Sequence, residues 1–204
     1  MTTTNLPDLP ANYATAQKLI DEAHAQDPKT AEEEDVPAEL LYARQMTRWL
    51  AVRCPDASPA LQIACRAQHF RRWEIPRASF PMTRVGYLSW RAKQKTQAAE
   101  KIKALLLSSA MSLPDEEVER IARLVRKENM ASNEETQILE DVACLVFLDG
   151  QLDDFEKRDD VDEEKMIGIL RKTWGKMSER GREIALDMRL SERSEMLVGK
   201  ALGG

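Results

Sequence analysis

Glycine is scarce in this chain, with eight residues in 204, and phenylalanine scarcer still, with four. So few glycines exclude a loop-rich or collagen-like chain, and the abundance of Ala, Leu, Arg, Glu and Lys favours helix. Only three cysteines occur, Cys54, Cys65 and Cys144, and no two form a CxxC pair. A disulfide scaffold is therefore excluded, and free thiols in a reducing compartment are expected. The longest apolar run, Val142 to Leu148, is far too short to span a bilayer. The opening MTTTNLPDLP lacks the basic flank and apolar stretch of a signal peptide, so a soluble, cytoplasmic protein is expected. Histidine is nearly absent: His24 and His69 are the only two.

Charge, by contrast, is plentiful and unevenly placed. The net charge is -5, yet residues 66–95 carry Arg66, Arg71, Arg72, Arg77, Arg84, Arg91, Lys93 and Lys95 against the single acid Glu74. Acidic stretches flank this middle, including Glu32 to Asp35 and the region from Asp153 to Glu164. A basic centre between acidic ends is either an anion site or a surface neutralised by its neighbours in the fold.

Apolar spacing predicts an all-α fold: a leader over 1–12, then one helical domain over 13–204. A first helix is expected from Tyr13 to Gln26, and a second opens at Pro37. Ser58-Pro59 reads as an N-cap with proline at the first helical position, starting a helix that runs to about Trp73. The two prolines of EIPRASFPMT mark a loop, followed by a long helix from Val85 to Leu107. Ser112 with Asp115 suggests a capping box before Glu116 to Lys127, and Asn133 caps a central helix ending at Gly150. Two further helices are expected over Glu163 to Met177 and Gly181 to Val198.

Polar groups set into these apolar segments are the candidates for function, because an unpaired charge in a core is expensive. Glu39 shares a face with Tyr42, Ala43 and Met46, where it would serve as a metal ligand, a base, an arginine's partner, or merely a first-turn acid favoured by the helix dipole. Gln62, Arg66, His69 and Trp73 form a polar stripe that either faces solvent or leads into the basic loop. His24, at the end of the first helix, reads as a surface residue. Asp141 lies on the Ile138, Leu145 and Leu148 face and needs a cation, a metal or a hydrogen-bond partner; Glu140 lies beside it. Arginines interleaved with Trp73, Phe80, Tyr87 and Trp90 suit a phosphate or carboxylate ligand, with rings to stack or shield. Equally, they would tie the loop to acidic helices. No phosphate-binding glycine loop, G-x-S-x-G, HExxH or paired CxxC is present.

ELLYARQM, ALQIACRAQHFRRWEIPRASFPMTRVGYLSWR, LEDVACLVFL and KTWGKMS resemble a family of uncharacterised fungal and bacterial helical proteins, catalogued as a domain of unknown function. Some fungal members carry the label glutamyl-tRNA synthetase. Nothing here supports that label: the chain has no Rossmann βαβ pattern and no adenylate-forming motif. More weakly, the chain is similar to the HD-domain metal phosphohydrolases, whose ligands run His, then His-Asp, then Asp. The comparable positions read Glu39, then Gln68-His69, then Glu140 or Asp141. This resemblance implies an HD-like helical domain with a divalent metal held by Glu39, His69 and Asp141 and Glu140 as catalytic base, either working or altered.

The expected function is metal-assisted hydrolysis of a phosphorylated small molecule or nucleotide, with Arg66, Arg72, Arg77, Arg84 and Arg91 holding the phosphate. The alternative is a non-catalytic module binding a ligand, RNA or another protein, in which the buried polar groups form a structural network. A membrane partner is not expected.

Overall fold

A computed structural model describes residues 5–31, 35–108, 113–152 and 162–203. The expected helical architecture is observed. The helices are α1 (Ala11–His24), α2 (Ala38–Arg53), α3 (Pro59–Arg66), α4 (Arg84–Ser108), α5 (Asp115–Arg126), α6 (Glu134–Val146), α7 (Glu163–Lys176), α8 (Glu179–Leu186) and α9 (Glu192–Leu202). A two-stranded antiparallel pair, β1 (Thr30–Ala31) with β2 (Val36–Pro37), joins α1 to α2. Residue spacing offers no hint of it, because two residues are too few to show alternation.

Contacts divide the chain into two units, residues 1–139 and 140–204, with the division inside α6. In the first unit α3 packs on α1, α2 and α5, and α5 packs on α4. Its core includes Met46, Leu50, Leu61, Ile63, Ile102, Ile121 and Leu124, all fully buried. Each such side chain stabilises by roughly 1.5–3 kcal/mol relative to exposure. In the second unit α7 packs on α9, and Glu163 pairs with Lys200 and Arg193 across them.

Local chemistry sets the helix ends. The Ser58 hydroxyl accepts from the Leu61 backbone N–H at 3.2 Å, and Asn133 Oδ1 accepts from Thr136 N at 3.0 Å, as their positions predict. The expected Ser112 cap lies outside the described residues, as do Glu32 to Glu34 and Asp153 to Val161; the flank of α5 is Pro114, without a side-chain cap bond. From the leader, Pro7 offers its carbonyl to Gln62 Nε2 at 3.2 Å.

Three expectations are corrected. The helix from Pro59 stops at Arg66 rather than Trp73, because His69 and Arg71 adopt left-handed backbone angles, φ 63° and 53°. The final stretch is two helices, since Ser191 starts a new one by accepting from Ser194 N at 3.1 Å. The central helix leaves α geometry at Val146 and passes through a π turn over Phe147–Gln151.

Candidate functional site

Two of the expected site residues meet at the reversal after α3. Two left-handed residues within three positions fold the chain back, so the side chains of His69 and Arg72 come together. Arg72 Nη1 donates to His69 Nε2 at 3.0 Å. His69 stacks on Tyr42 from α2, with ring centroids 4.1 Å apart and planes 14° from parallel. On its other side the Arg72 guanidinium lies over the Trp90 ring of α4, 4.8 Å from its centroid.

The loop carrying these groups is sewn to α4 through its carbonyls. Trp90 Nε1 donates to Ile75 O at 2.9 Å, and Gln94 Nε2 donates to Arg72 O and Ile75 O at 3.0 and 2.8 Å. Gln97 Nε2 reaches Arg71 O at 3.3 Å. Glu74, the only acid in the basic stretch, is already paired with Arg71 and Lys101. Among the described residues no carboxylate forms an ion pair with Arg72. Burial and the neighbouring Arg91 charge lower the Arg72 pKa from its ordinary value.

His69 is held neutral. Desolvation and the charges of Arg72 and Arg91 push its pKa well below the ordinary histidine value. The Nε2 lone pair that would take a metal accepts from Arg72 in this arrangement.

Behind this cluster lies a pair that sequence reasoning missed. His24, expected at the surface, is completely buried. It falls at the four-residue spacing of Ala16 and Ile20 on the buried face of α1, a signal the sequence did contain. Its Nε2 lies 3.0 Å from Arg66 O; a carbonyl only accepts, so Nε2 carries the proton. Nδ1 then faces Glu39 Oε2 at 3.4 Å, and neither atom has a hydrogen-bond partner among the described residues. Desolvation raises the Glu39 pKa above the ordinary carboxylate value, with the Asp27 charge adding to it and His24 opposing it.

Arg66 is not free for a ligand. It grips Asp21 through two bonds of 2.6 and 2.7 Å and also donates to Thr47 Oγ1 and Ala43 O. The polar stripe expected along α3 ends with it, because the helix does. Arg77 donates to the carbonyls of Phe80, Pro81 and Thr83, shaping the loop. Arg84 is exposed and Arg91 half-buried.

Asp141 and Glu140 belong to the second unit. Asp141 is completely buried, and its carboxylate accepts from both the backbone N–H of Ser178, at 2.8 Å, and the Ser178 hydroxyl. Ser178 in turn caps α8 by accepting from Gly181 N at 3.1 Å. A Cβ at Gly181 would lie 2.7 Å from Asp141 Cγ, so only glycine lets the helix start sit this close. The partner that Asp141 required is thus a helix N-terminus. Glu140 lies 3.7 Å from Lys176 Nζ. Among the described residues no three His, Cys, Asp or Glu side chains converge on a point where they could hold a metal ion. None of the described helices is long and apolar enough to cross a membrane.

No curated protein and no solved structure matches the chain. A family model does match, over residues 14–198, and so the chain belongs to the family described as a domain of unknown function, DUF4202.

Proposed function

We propose that this protein binds an anionic small molecule, a phosphate-bearing one, at the cluster of Tyr42, His69, Arg72, Trp90 and Arg91. The observation that carries this reading is the state of Arg72. Its guanidinium is fixed between a neutral imidazole and an indole, with a second arginine near; Glu39 favours its charge, but no carboxylate forms an ion pair with it among the described residues. A planar fork held in place binds phosphate or carboxylate oxygens with little ordering cost. Tyr87, exposed and with its ring centroid 5.9 Å from that of the buried Trp90, offers a ring to the remainder of the ligand.

Calorimetric titration with inorganic phosphate and with adenosine monophosphate tests it. Binding that weakens at least tenfold in Arg72→Gln, about 1.4 kcal/mol, supports the site. No heat from either probe in the wild-type protein at millimolar concentration would refute it.

A second reading, metal-assisted hydrolysis of that ligand on an HD-like scaffold, draws on a different observation. The Nδ1 of His24 and Oε2 of Glu39 face one another in a buried site without another hydrogen-bond partner among the described residues, and something positive between them would satisfy both. Either one shared proton or a divalent cation would do so. A metal-binding imidazole characteristically donates its other N–H to a carbonyl, as His24 does to Arg66. In this version His24 takes the ligand place expected for His69. Elemental mass spectrometry on protein purified without chelator decides: metal lost in His24→Ala but kept in His69→Ala supports it, and metal-free wild-type protein refutes it.

A further inference from the structure

The first half of α4 has two faces in opposite circumstances. Its inner face is committed: Trp90 and Gln94 hold the loop carbonyls, and Gly86 is pressed against Pro81. A Cβ at Gly86 would lie 2.1 Å from the Pro81 carbonyl oxygen, so helix and loop meet at backbone distance. The loop is itself fixed by the three carbonyl contacts of Arg77. The helix therefore has no freedom to roll.

Its outer face is apolar and bare. Val85, Leu88 and Ala92 succeed one another at helical spacing, and Met82 stands three residues before Val85 in the turn leading in. Met82 is 79% exposed, Val85 74% and Leu88 57%. Isolated exposed apolar residues are ordinary, but three at helical spacing on a rigid helix, continued by Met82 in the turn before it, are a contact surface. Cations border the stripe. Arg84 lies on one side of it and Lys93 on the other, both exposed, and neither forms an ion pair among the described residues.

We infer that this face docks an acidic amphipathic helical segment of a partner protein. The apolar stripe gives anchors at i, i+3 and i+7, the repeat that one face of a partner helix matches. The unneutralised cations at its borders call for acids beside the partner's apolar residues. Four side chains are too few for the roughly 800 Å² per partner of a standard stable interface, which fits a short segment rather than an obligate dimer. A nucleic acid would use the cations but leave the stripe idle.

The test uses two labelled sixteen-residue helical peptides with leucines at the same i, i+3 and i+7 positions, one filled with Glu and one with Lys. Fluorescence anisotropy at low salt tracks binding to the full chain, with Leu88→Ser and Arg84→Glu variants alongside. Both substitutions are at exposed positions, so circular dichroism should match wild type. The acidic peptide should bind, weaken at least fivefold in either variant and weaken further with salt, while the basic peptide should not bind. Failure of the acidic peptide to bind, equal binding of the basic one, or indifference to Leu88→Ser would overturn the inference. So would two other results: polyuridylate RNA binding that requires Arg84 but not Leu88, or self-association in sedimentation equilibrium that Leu88→Ser abolishes.

Discussion

Replacing Asp141 with alanine separates a structural carboxylate from a metal ligand. Asp141 takes two hydrogen bonds from Ser178, the residue that caps α8, and lies completely buried. Bonds to a charged acceptor contribute about 1.5–3 kcal/mol each. They are not additive here, because Ser178 is part-exposed and water replaces some of what is lost. A net loss of about 3 kcal/mol is therefore expected for Asp141→Ala. Urea slopes for small proteins are about 1–3 kcal/mol per molar, so the midpoint measured by far-ultraviolet circular dichroism should fall by roughly 1–3 M. Gly181→Ala should move the same transition in the same direction, since its methyl would strike the carboxylate. A carboxylate kept for a cation behaves in the opposite way: in metal-free protein it is an uncompensated buried charge, and its removal stabilises. A midpoint for Asp141→Ala at or above wild type would refute the capping account.

His69 has a native pKa below its unfolded value of about 6.5, so its contribution to stability is whole above that pH and is lost as pH falls through it. His69→Asn, which tolerates the left-handed backbone, should remove that loss; wild type should fall by about 1 kcal/mol relative to the variant between pH 7.5 and 5.5. Superimposable profiles of melting temperature against pH would sink this reading. Among the thiols, Cys65 and Cys144 are buried and Cys54 half-buried, with burial and the adjacent Asp56 raising its pKa to about 11. Ellman's reagent should therefore modify Cys54 slowly at pH 8 and the other two only on unfolding, and rapid release of two or three equivalents would contradict the packing.

The helical class and several helix starts were legible because their causes are local. Ser58-Pro59 and Asn133 cap where their side chains dictate, and the prolines of EIPRASFPMT do mark a loop. The reversal beyond Arg66 was not legible. Positive φ is uncommon for any residue but glycine, histidine's mild enrichment there is too weak a signal to read, arginine has none, and tertiary contacts with Tyr42, Trp90 and Gln97 hold the turn. Nor does a glycine or proline mark residues 187–191 as a break between α8 and α9. For the polar set, helical spacing put Glu39 and Asp141 on core-facing sides, and both are buried; it left Arg66 open between solvent and the basic loop, and Arg66 is buried too. It had no means of telling that Arg66 would find Asp21 or Asp141 a helix N-terminus, since those partners lie 45 and 37 residues away. Passing over His24 was a different kind of miss, because its place on the Ala16 and Ile20 face was readable.

The attachment of the arginine loop to α4 has a practical corollary in ionic strength. Indole and carboxamide donors on backbone carbonyls carry no net charge, so salt does not screen them as it screens the exposed ion pairs around Glu74, Glu119 and Glu163. The seat of Arg72 should keep its shape in half-molar sodium chloride while the surface charge network fades. Affinity for phosphate measured across a salt series would then report the guanidinium's own pull on the anion, undistorted by a loosening of its mount.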